Sequence, residues 1–368
     1  MFDRRLLENF DWGLLLLVFI IASIGLVILY SALTAGNVQE LHPLFKRQIG
    51  WMTFGLIIMV ITFLLDYKYF DEASIVIYLF CIALLVTVFI SGKYVAGSKR
   101  WLAFGPFTMQ PSEIMKLALI IILASLYSNL VSEEGLTFKK LWKPALVCIV
   151  PFLLIAKQPD LGTAMLLLLI AGSMTLFVKV EKKVLISCIT LCLLAIPLCW
   201  FFLLKEYQIE RILTLFNPGR DPLGAGYHII QSKIAIGSGM LTGKGFLQGT
   251  QNTLAFLPEQ HTDFIVSVLA EEWGFMGCFF LLFLYFILLI WGLNIAYGCR
   301  NMFGSILAFG VTCMIFWEIF INFGMVMGLM PVVGVPLPLV SYGGSSVITN
   351  MLGLGILMNI SMRKYISN

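Results

Sequence analysis

The sequence predicts an all-α fold: a polytopic membrane protein with about ten transmembrane helices and a large extracytoplasmic loop. Three observations lead there. Of its 368 residues 60% are hydrophobic and only 12% charged, where soluble domains carry about 25% charged residues. Apolar runs long enough to cross a hydrocarbon core of ~30 Å recur along the chain. One polar stretch of 58 residues, 205–262, interrupts them. No charged stretch is long enough for a separate soluble domain, so 1–368 reads as a single transmembrane domain with loop 205–262 inserted in it.

The first run, 12–33, follows a charged start; it is longer than the apolar part of a signal peptide and reads as an uncleaved span. The second, 48–65, stops at Asp66, and the third, 74–90, lies between Glu72 and Lys93. The fourth, 112–128, starts after Pro111, where proline suits a first helical turn. The fifth, 145–156, is short, and Lys157-Gln158-Pro159-Asp160 separates it from the sixth, 162–178, so the two are either separate crossings or one broken element. The seventh, 184–204, sits between Lys183 and Lys205. The last three, 264–293, 303–327 and 342–361, begin after Asp263, Asn301 and a Gly-rich turn. An even number of crossings leaves both termini on one side.

With the termini in the cytoplasm, inner loops carry twelve Lys and Arg against eleven outside, or against six when the long loop is set aside. Long loops weigh little in orientation, so both termini are expected in the cytoplasm. The outer cations suggest loops that hold an anion. Eight cysteines lie in or beside apolar runs without a CxxC pair, and the three histidines never show metal-ligand spacing, which argues against a disulfide framework and a zinc site. No basic cluster with interleaved aromatics points to nucleic acid.

Three polar motifs start helices on the outer side: 95–113, 157–163 and Leu257–Phe264, LPEQHTDF. The last places His261 and Asp263 where water meets hydrocarbon, so Asp263 reads as a helix cap, a site residue, or both. Glu113 and Lys116, three residues apart, share a helix face and form either a structural ion pair or part of a cavity. Asp160 fits a cap on the sixth helix. Arg100, next to Trp101, is an interfacial anchor or an anion clamp. Glu271, Glu272 and Glu318 line a cavity or join helices. Residues 226–239 are amphipathic and suit a short interfacial helix, and the Pro/Gly-rich run 330–346 suits backbone that lines a cavity.

A reaction on the outer face cannot use cytosolic nucleotides, so an activated substrate has to arrive on a lipid. A polyprenyl diphosphate sugar satisfies this. Its leaving group needs only charge neutralisation, so one carboxylate suffices as base, unlike glycoside hydrolysis with its two carboxyl groups. Ten helices with buried acids also describe a carrier, such as a flippase.

Seven motifs carry a family resemblance: FDWGLLLL (10–17), GSKRW (97–101), MQPSEIMK (109–116), QPDLGTA (158–164), GYHIIQSKIAIGSGMLTGKG (226–245), LPEQHTDFI (257–265) and PLPLVSYGGSS (336–346). In this order, over nearly the whole chain, they resemble the SEDS family (shape, elongation, division and sporulation). The resemblance implies an inverting peptidoglycan glycosyltransferase of the cytoplasmic (inner) membrane that polymerises lipid II into β-1,4-linked strands beside a class B penicillin-binding protein. It implies Asp263 as catalytic base, Glu113, Lys116, Asp160, Arg100 and His261 as cavity or substrate-binding residues, and a divalent cation, Mg²⁺ or Mn²⁺, with Asp263 a candidate ligand. The opening motif and the lack of long charged tails favour the elongation branch over the division and sporulation branches.

Overall fold

A computed structural model describes residues 10–34, 42–95, 98–104, 107–130, 135–187, 205–221, 224–254 and 260–363, with 190, 191, 194 and 197. The chain is a helical bundle. Helix α1 (Trp12–Thr34) starts under a cap, the Leu14 amide donating to Asp11 Oδ1 at 3.3 Å. Helix α2 (Pro43–Leu64) begins on proline with the His42 ring accepting from the Leu44 amide. After the short α3 (Lys68–Glu72) and α4 (Ser74–Ser91), three strands, β1 (Lys93–Val95), β2 (Ser98–Phe104) and β3 (Phe107–Met109), form an antiparallel sheet in that order. This sheet is an addition to the all-α expectation; it lies within the segment read as an outer loop.

Helices α5 (Pro111–Leu130), α6 (Phe138–Lys157) and α7 (Leu161–Phe177) follow. Helix α6 starts seven residues before the apolar run expected at 145, because its first turns carry Lys139, Lys140 and Lys143, which interrupt the hydropathy signal but not the helix. It packs beside α7, so the two are separate elements rather than one broken helix. Of the expected seventh span, 184–187 is helical, continuing from 182, and most of the remainder lies outside the described residues. Among the described residues seven helices are long and apolar enough to cross a membrane, and α7 is a shorter apolar one.

The long polar stretch is mostly helical: α8 (Glu206–Phe216), α9 (Ala225–Gly239) and α10 (Thr250–Thr253). Helix α9 packs against α11 (Ile265–Gly298) and α12 (Met302–Val326), and Ser232 Oγ donates to Val326 O at 2.6 Å. At Gly274 (φ +66) α11 breaks, and residues 240–245 insert there: Phe275 and Met276 amides donate to Met240 and Leu241 carbonyls, while Lys244 and Gly245 amides donate to Glu271 and Glu272 carbonyls. Only glycine takes this φ without strain. The final helix, α13 (Gly344–Arg363), is central, 89% of its span buried against 28% for α4. Helix ends are closed by side chains reaching across the bundle. Arg363 donates to Phe63 and Leu64 carbonyls, and Trp291 Nε1 donates to Asp11 Oδ2 at 2.7 Å. Pairing the free carbonyls at a helix end in this way is what a hydrocarbon medium demands.

Candidate active site

Asp160 sits at the start of α7, buried, and acts first as its cap, accepting from the Thr163 amide and from Thr163 Oγ1 at 3.0 Å. The same carboxylate accepts from Gln110 Nε2 at 2.8 Å and Ser112 Oγ at 3.3 Å, and Arg100 on β2 approaches it at 3.4 Å. The three strands therefore have a function in the architecture: they bring a partly exposed guanidinium to a buried carboxylate.

One turn further along α5, Lys116 is fully buried and bridges Glu113 Oε2, at 2.9 Å, and Glu318 of α12. The pair expected from spacing is thus a triad across two helices. Two carboxylates facing one ammonium inside a bundle are tolerable only because they share its hydrogens.

Asp263 lies just before α11, in the turn 260–264, and is half-buried. Its backbone is fixed by a donor at each of three successive carbonyls. His261 O accepts from the Tyr342 amide at 2.9 Å, Thr262 O from Ser341 Oγ at 2.6 Å, and Asp263 O from Asn322 Nδ2 at 2.9 Å. All three donors come from α12 or from the segment joining α12 to α13. That segment is itself held by Gln48, whose Nε2 donates to Ser341 O and whose Oε1 accepts from the Gly343 amide. The His261 ring lies 5.9 Å from the Tyr342 ring.

The segment 327–343 links the two acidic positions. A Cβ on Gly162, two residues after Asp160, would lie 3.0 Å from Val333 Cβ; a Cβ on the next residue, Gly334, would lie 3.3 Å from Asp263 Oδ2. Arg211 of α8 donates to Val332 O at 3.1 Å, so the long stretch also rests on this loop. Arg100, Asp160, His261 and Asp263 therefore gather at one end of the bundle, with Glu113 and Lys116 a turn deeper along α5.

Glu271 and Glu272 serve a different purpose. Glu271 accepts from Lys244 Nζ at 2.6 Å and from the Thr250 amide and hydroxyl; Glu272 accepts from Ser31 Oγ. They clip 244–251 onto α1 and α11. Glu259 and the start of the LPEQHTDF motif lie outside the described residues. Gln48, Gln110, Ser112, Asn322 and Ser341 were missed by the sequence reading, although a polar residue in an apolar helix, such as Asn322 one turn from Glu318, is itself a signal.

No group of three His, Cys, Asp or Glu that could hold a metal ion occurs among the described residues. Mg²⁺ in phosphate chemistry is commonly held by one or two carboxylates together with substrate oxygens, and Asp263 meets that smaller requirement.

Fold and site together define a multi-pass membrane protein with polar groups gathered at one end of the bundle and a charged triad buried between its helices. The chain belongs to the FtsW/RodA/SpoVE family of cell cycle proteins, whose model matches residues 11–366. It is 44% identical over 345 residues to the peptidoglycan glycosyltransferase MrdB of Escherichia coli K12, covering 93% of this chain and 92% of that one. A solved chain from a peptidoglycan synthase complex that coordinates polymerization and crosslinking superposes with a TM-score of 0.82 at 32% identity, covering 97% and 99%. The crystal structure of the rod shape determining protein RodA of Thermus thermophilus gives 0.71 at 27% identity, covering 97% and 98%.

Proposed function

We propose that this protein is a peptidoglycan glycosyltransferase that polymerises lipid II on the outer face of the cytoplasmic membrane for cell elongation. The observation that carries this reading is the placement of Asp263: a half-buried carboxylate on a backbone locked at three successive carbonyls. A general base needs that fixed geometry and access to substrate at once. Asp263 takes the proton of the acceptor sugar's 4-hydroxyl, the oxygen attacks C1 of the donor from the face opposite the diphosphate, and the C1–O bond to the diphosphate breaks. Inversion gives the β-1,4 link.

Arg100, oriented by Asp160, supplies positive charge for the diphosphate. His261 borders the acceptor side next to Tyr342. Glu113 and Lys116, with Glu318, hold α5 and α12 at the spacing the site needs. A divalent cation, Mg²⁺ or Mn²⁺, would be held by Asp263 and substrate oxygens and would neutralise diphosphate charge. The partner is a class B penicillin-binding protein, a reading supported by the likeness to a chain of a synthase complex. Both termini lie in the cytoplasm, and 205–262 is extracytoplasmic, within one transmembrane domain.

The buried triad favours a second reading, a lipid II flippase, because carriers place ionisable groups deep between helices. Incubating the purified complex with lipid II separates them. Glycan strands that lysozyme digests support the polymerase; intact lipid II under all conditions, with transport into vesicles, supports the carrier.

A further inference from the structure

We infer that Asn322 and Ser341 are positioning residues that set the Asp263 carboxylate in its working geometry; this rests on the reading of Asp263 as the base. Asn322 is fully buried in α12, and both hydrogens of its amide are committed, to Asp263 O at 2.9 Å and to Val335 O at 2.8 Å. That fixes the orientation of the amide. A flipped group would aim its oxygen at two carbonyls. Val335 follows Gly334, the residue beside the Asp263 carboxylate, so one side chain ties together the backbone of the base and the wall it rests on.

Ser341 works from the other side. Its Oγ donates to Thr262 O at 2.6 Å and accepts from the Leu337 amide at 2.9 Å, coupling the residue before Asp263 to the loop that carries Val335. Neither side chain needs to touch substrate. With the Tyr342 amide on His261 O, the three donors leave the 261–263 backbone little freedom to rotate, so the direction in which the Asp263 side chain leaves the backbone is decided before substrate arrives. Glu318, four residues before Asn322, anchors the same helix to Lys116. The brace therefore stands on a rigid part of the bundle.

The test uses the full chain purified with its penicillin-binding partner, with lipid II polymerisation followed at varied substrate concentration. Asn322→Leu keeps volume and removes both donors, and kcat falls about 10- to 100-fold, the scale of a misplaced catalytic group, with KM within about twofold. Ser341→Ala shows the same pattern and Ser341→Thr, which keeps the hydroxyl, recovers activity. Asp263→Ala runs in parallel. If Asp263→Ala is active, the base reading fails and this inference with it. If Asp263→Ala is dead while folded Asn322→Leu and Ser341→Ala keep their kcat, the base stands and the positioning role is overturned. A loss confined to KM also overturns it. Where Asn322→Leu does not accumulate as folded protein, the Ser341 pair decides alone.

Discussion

Gly334 forms the wall against which the Asp263 carboxylate rests: a Cβ there would lie 3.3 Å from Oδ2, and the glycine holds φ at +70. Backbone in that region costs a residue with a side chain about 1–2 kcal/mol. Gly334→Ala is therefore expected to lower stability by about that amount and to displace the carboxylate by a few tenths of an ångström. Thermal unfolding in detergent and polymerisation rate are the measurements, and the activity loss should exceed what the stability loss explains.

The buried triad predicts an ordering. Lys116→Met leaves Glu113 and Glu318 facing each other without a cation, an arrangement that costs about 3–5 kcal/mol. Glu318→Gln instead leaves the neutral Glu113–Lys116 pair and should cost much less. Unfolding midpoints and membrane yield of the two variants check this; equal effects would mean that charge balance is not what the triad supplies.

Asp160 and Arg100 separate fold from chemistry. Asp160→Ala strips a cap and leaves Gln110 and Ser112 donors without their acceptor, a loss of about 1–3 kcal/mol. Arg100→Ala removes a partly exposed partner worth about 0–1 kcal/mol yet should sharply reduce polymerisation. An Arg100→Ala protein with full activity would leave the diphosphate charge to other groups.

Chelation supplies a fourth expectation. Removing divalent cations with EDTA should abolish strand formation, and adding Mn²⁺ or Mg²⁺ should restore it, without changing the unfolding midpoint. Activity that persists in chelator would remove the cation from the proposal.

Hydropathy alone located nine of the helices among the described residues, because a lipid-crossing helix must be apolar along its length and its ends must be polar. It shortened α6, whose first turns carry lysines, and it overlooked β1–β3, since strands of three, seven and three residues, the longest without polar/apolar alternation, leave little signal beside helices of twenty. The pairing of Glu113 with Lys116 was legible because it is local on one helix face; Glu318, 202 residues away, was not. Asp160 could be read as a cap from its position before α7, but its contacts with Arg100, Gln110 and Ser112 depend on tertiary packing. The same limit hid Asn322 and Ser341, whose partners are carbonyls, and a carbonyl leaves no mark in a sequence.

The most direct test of the account is polymerisation of lipid II by the full chain with its penicillin-binding partner, comparing wild type with Asp263→Ala at equal folded protein. The account predicts glycan strands from the wild type and none from the variant, whose helices and unfolding midpoint remain close to normal. Strands made by Asp263→Ala at the wild-type rate would contradict it.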